Sequence, residues 1–141
     1  MHFIELKLCE KVGAVLQECN KLCNCGSSHL ATVWMQSKIF DRILDGDVSV
    51  FSQAKSYIVR TFFEKNRNEL AVSSEKEMLY DDVLFWFGYL ITYWCLELKE
   101  TPTNIMRNYD VSEILYSYDV LHTISIKEAI TKIKEDSYGK N

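Results

Sequence analysis

Between Leu79 and Leu98, only Asp81, Asp82, Thr92 and Glu97 interrupt a run of apolar and aromatic residues. A helix apolar around most of its girth has to be surrounded by other helices, so this run is expected to form the centre of the fold. Ser74 and Glu77 have the spacing of a capping box, which predicts a helix opening there and running to about Lys99. Its uncharged part, Val83 to Leu96, is 14 residues long. Spanning a bilayer takes roughly 20 such residues, so a packed core helix is expected rather than a membrane span.

The flanking sequence supplies helices to surround it. Phe3, Ile4, Leu8, Val12, Val15, Leu16, Cys19, Leu22 and Cys23 recur at intervals of three and four and predict one amphipathic helix, ended near Gly26. Leu30, Val33, Trp34, Phe40, Ile43 and Leu44 predict a second, stopped by Asp45-Gly46. Ser49 or Ser52 is expected to cap a third, with Ala54, Tyr57, Ile58 and Phe62 inside and residues 64–68 as its exposed end. Thr101 should cap a short helix with Pro102 in its first position. Asp110 or Ser112 should start another, with Val111, Ile114, Leu115, Tyr118 and Leu121 facing inward. Ser125 and Glu128 form a second capping box for a last helix to about Glu135. The expectation is an all-α, single-domain irregular bundle of six or seven helices around a central aromatic-rich helix, covering residues 1–141.

Charge and cysteine usage narrow the function. The net charge is −4, and Lys127, Lys132 and Lys134 alternate with Glu128, Glu135 and Asp136, as on a solvated helix face. Nucleic-acid binding calls for a basic face, so a basic protein partner suits this chain better. The first residues lack the pattern of a signal peptide, and the five cysteines are odd in number. A cytoplasmic protein with reduced thiols is expected.

No set of residues adds up to catalytic or cofactor chemistry. Cys19, Cys23, Cys25 and His29 do not form two ligand pairs of zinc-site spacing, and Cys19 and Cys23 fall on the apolar stripe. Asp81 and Asp82 are adjacent on a helix and diverge by about 100°, which suits first-turn dipole charges better than a carboxylate pair. Gly13, Gly26, Gly46, Gly88 and Gly139 are isolated, so there is no phosphate loop. His122, at a helix end, is expected to cap free carbonyls. No catalytic residue, metal or cofactor is assigned. Tyr80, Tyr109, Tyr116 and Tyr138 fall where the pattern leaves rings partly exposed, and such tyrosines either anchor interfaces or merely cover the core.

The stretch Trp86-Phe87-Gly88-Tyr89-Leu90-Ile91-Thr92-Tyr93-Trp94, followed by Leu121-His122-Thr123 and Glu128-Ala129-Ile130, resembles a family of small helical bacterial proteins found in toxin–antitoxin operons. The resemblance covers residues 80–133. Many members carry an arginine shortly before the final Tyr-Trp, where this chain has Ile91 and Thr92. The resemblance implies an antitoxin that neutralises a cognate toxin by direct contact. That toxin would be a small alarmone synthetase or another nucleotidyl- or pyrophosphate-transferring enzyme, or an ADP-ribosyltransferase. The contact residues expected on this reading are Tyr80, Tyr109 and Tyr116 with the acidic Glu75, Glu77 and Asp81. The competing readings are a hydrolase using Asp81, Asp82 and His122 around a metal, and a helix-turn-helix regulator built on residues 102–108 and the helix after them.

Overall fold

The computed structural model describes residues 2–72 and 77–138, and among these there are eleven helices and no strand. They are α1 (Phe3–Leu22), α2 (Ser27–Gln36), α3 (Lys38–Leu44), α4 (Val48–Phe51), α5 (Lys55–Lys65), α6 (Arg67–Ala71), α7 (Asp81–Glu97), α8 (Pro102–Asn108), α9 (Val111–Tyr116), α10 (Tyr118–Leu121) and α11 (Ile126–Tyr138).

Helix α7 occupies the centre, as its composition requires. Val83, Leu84, Trp86, Phe87, Gly88, Leu90, Ile91, Thr92, Trp94 and Cys95 are all buried. Its most extensive partner is α1, and α3, α9, α10 and α11 cover other parts of its surface. The one hydroxyl on the buried face is satisfied locally, because Thr92 Oγ1 donates to Gly88 O at 2.8 Å. Ile91 and Thr92 are fully buried, so the polar role that the family resemblance would place there has no outlet to a surface here.

Several expected helices are broken at polar residues, which is why there are eleven rather than six or seven. Ser37 divides the second one. It is buried, donates to Trp34 O at 2.6 Å and accepts from Phe40 N–H at 3.4 Å, closing α2 and opening α3 with one hydroxyl. Asn66 divides the third by returning its amide to Phe62 O at 2.9 Å. Ser117 separates α9 from α10, with its hydroxyl on Ile114 O at 2.6 Å. Asp47, not Ser49 or Ser52, caps α4, and α5 starts without a side-chain cap. Gly26, with φ of 90°, precedes α2 instead of terminating α1, which ends at Leu22. Phe3, Ile4, Ala54 and Tyr57 are exposed, contrary to their assignment to inner faces.

The local caps at Thr101, Asp110 and Ser125 form as their spacing predicts, with the N–H of Asn104, of Ser112 and of Glu128 donating to them. The Ser74 half of the first capping box lies outside the described residues. Its other half is not helical: residues 77–80 are outside any helix, Tyr80 is extended, and α7 begins only at Asp81.

Candidate partner-binding site

The late start of α7 has an identifiable cause. Ser27 N–H donates to Glu77 O at 2.9 Å, and Leu79 N–H donates to Ser27 Oγ at 2.8 Å. The Ser27 hydroxyl donates in turn to Asn20 Oδ1 at 2.7 Å. The Asn20 amide then donates to Leu79 O at 3.0 Å and to Asp81 Oδ1 at 2.9 Å. Ser27 is fully buried and Asn20 nearly so, so the bond between them is made away from competing water. Two buried polar side chains on α1 and α2 hold the backbone of residues 77–80 out of the helix, in place of another helical turn.

What that segment displays is apolar and aromatic. Tyr80 is 87% exposed, and Met78, two residues before it, is also exposed. Tyr116 of α9 is 54% exposed and donates its phenol O–H to the Glu77 carboxylate, which joins α9 to the segment. Tyr80, Glu77, Tyr116 and Asp81 are thereby brought into one region. Asp81 is committed to Asn20, and Asp82 accepts from Gln17 Nε2 at 3.3 Å. Both carboxylates lie in the first turn of α7, where the helix dipole favours them. Glu75 lies outside the described residues.

Tyr109 sits apart from these. Its ring packs edge-on against Trp94 at 5.1 Å, and the residue lines a cavity of about 230 Å³. Asp110, Glu113 and Asp136 line that cavity together with Ile114, Leu121 and Ile133. Glu113 lies three residues before Tyr116 on α9, one turn away on the same face, so α9 joins the acidic cavity to the tyrosine region.

The groups considered for chemistry are engaged separately. His122 Nδ1 lies 2.6 Å from Tyr118 O, and its ring stacks on Tyr118 at 4.2 Å, in the capping role expected of it. His29 Nε2 lies 2.6 Å from Glu69 O, so this ring nitrogen serves α6 rather than the cysteines. Cys9 and Cys95 are buried, and burial is the main reason their thiols are pushed up to about 12. Burial raises Cys19 further, with nearby Cys23 adding to the shift. All five cysteines are thiols.

Asn20 and Ser27 were not legible as site residues. The one sequence signal was Asn20 itself, a polar residue in register with Gly13 and Leu16 on the apolar stripe of α1. No protein family, curated protein or solved structure matches this chain.

Proposed function

We propose that this chain is an antitoxin that neutralises its toxin by binding it and covering the active or nucleotide site. The observation that carries the reading is the pairing of a buried polar network with the apolar surface it displays. Asn20 and Ser27 direct their hydrogen bonds to fixing the non-helical segment before α7, on which Met78 and Tyr80 are exposed. An exposed tyrosine on a rigid backbone loses little entropy on docking, and tyrosine is among the residues that dominate binding energy at interfaces. Glu77 and Tyr116 extend the surface, and Asp110, Glu113 and Asp136 give it an acidic flank.

Such a flank suits a partner with a basic, phosphate-handling cleft, as in a pyrophosphate-transferring or ADP-ribosylating enzyme. Occlusion needs no catalytic group from the antitoxin. The hydrolase reading gains no support, because Asp81, Asp82 and His122 are each occupied within the fold. Nor does a helix-turn-helix, since α9 is six residues long and presents Glu113 where a phosphate-facing helix needs cations.

The test is co-expression of the tagged chain with the product of the adjacent gene, followed by purification and growth assays. A stoichiometric complex that removes the partner's toxicity is expected. Tyr80→Ala combined with Glu77→Lys should lower its affinity by at least about tenfold, a loss of ~1.4 kcal/mol or more. Rescue at well below a one-to-one ratio would instead indicate turnover. A complex indifferent to the double substitution would move the interface elsewhere.

A further inference from the structure

The turn between α1 and α2 places two thiols against each other. Cys23 Sγ and Cys25 Sγ are 3.2 Å apart, with only Asn24 between them in sequence. Cys23 is partly exposed, whereas Cys25 is 7% exposed. The other three cysteines differ: Cys9 and Cys19 are fully buried, and Cys95 is buried in α7. Only this pair combines a partly exposed cysteine with a second sulfur in contact with its own.

We infer that Cys23 and Cys25 form a thiol–disulfide exchange site, in which Cys23 is the attacking thiol and Cys25 the resolving one. The co-substrate class is a small, soluble disulfide of the glutathione type. Cys23, as thiolate, attacks one sulfur of that disulfide, forming a mixed disulfide and expelling one small thiolate. Cys25 then gives its proton to solvent and attacks Cys23 Sγ, expelling the second small thiolate. The protein loses two electrons and two protons, and one small disulfide becomes two small thiols. Contact between the sulfurs makes the second step effectively unimolecular, so the mixed disulfide should be short-lived.

The backbone route of this pair gives the bridge something to act on. Cys25 is followed by Gly26, whose φ of 90° sets the turn, and then by Ser27, which holds Glu77 and Leu79. Closing a ring across Cys23 and Cys25 constrains the residues that orient the Ser27 hydroxyl.

The experiment treats the folded full chain with oxidised glutathione, followed by intact-mass analysis, thiol counting after unfolding and peptide mapping. The wild type should lose two hydrogens in mass without retaining glutathione, and its thiol count should fall from five to three. Cys25→Ser should instead retain one glutathione on Cys23, and Cys23→Ser should react far more slowly. Mapping the bridge in the wild type tests the pairing without relying on either variant to fold. A wild type that stops at the mixed disulfide, a bridge through Cys19, or equal reactivity of Cys23→Ser would overturn the assignment.

Discussion

Gly13 of α1 and Gly88 of α7 meet backbone to backbone at the crossing of the two helices. A Cβ placed on Gly88 would lie 2.9 Å from Gly13 Cα and 3.0 Å from Val12 O. One placed on Gly13 would lie 2.8 Å from Phe85 O. The obstructing atoms are backbone, so they cannot rotate away. The closeness of the two axes brings Asn20, two turns further along α1, to the start of α7.

Gly88→Ala should therefore destabilise the protein, even though alanine is the better helix former by about 1 kcal/mol. Overpacking against backbone should outweigh that gain and leave a net loss of ~1–3 kcal/mol. Urea unfolding should show a lower midpoint at unchanged slope. A raised midpoint would mean that the helices separate at little cost.

Ser27→Ala removes the acceptor of Leu79 N–H and the donor to Asn20. The buried Asn20 amide oxygen and the part-buried Leu79 N–H lose partners, at a cost of ~1–3 kcal/mol. Amide exchange at Leu79 should accelerate more than at residues inside α7. Uniform acceleration across the chain would show global destabilisation instead of release of the segment.

Lys99 follows α7 with φ of 56°, in the left-handed region that disfavours a side chain. Lys99→Gly should stabilise by ~0.5–1 kcal/mol, and Lys99→Val should destabilise. Thermal unfolding of the two variants should bracket the wild type. The same order for both would remove the conformational explanation.

Alkaline pH should weaken the fold through the buried thiols. Burial raises Cys9 and Cys95 from 9.0 to about 12 in the folded state, so the unfolded chain releases protons that the folded chain keeps. Their contribution is complete below pH 9 and is lost as the pH rises from 9 toward 12, with a slope of at most ~1.4 kcal/mol per unit for each thiol. Cys95→Ala should flatten this decline whatever it does to stability at pH 7. An unchanged slope would remove Cys95 as a contributor.

The all-α class, the buried position of α7 and the caps at Thr101, Asp110 and Ser125 were legible in the residues. Helical periodicity and capping act over three or four positions, so a local stretch of chain contains the whole cause. The start of α7 is not legible in this way, because side chains far away in sequence hold residues 77–80 out of the helix. Asn20 and Leu79 are 59 residues apart, and nothing local to either specifies their bond. The breaks at Ser37, Asn66 and Ser117 escaped notice for a related reason. Each is a polar side chain turned back onto a nearby carbonyl, a choice that packing of the adjoining helices decides.

By itself the sequence determined that this chain forms helices, which one is buried most deeply, and that tyrosines and acids are available for a surface. Tertiary structure decided that Gly13 faces Gly88, that Ser27 holds the non-helical segment that leads through Tyr80 into α7, and that Cys23 touches Cys25. The physical reason is one of range. Local preferences are set by hydrogen bonds within a turn or two, whereas these juxtapositions arise only when distant apolar faces pack and fix which polar groups are left to meet.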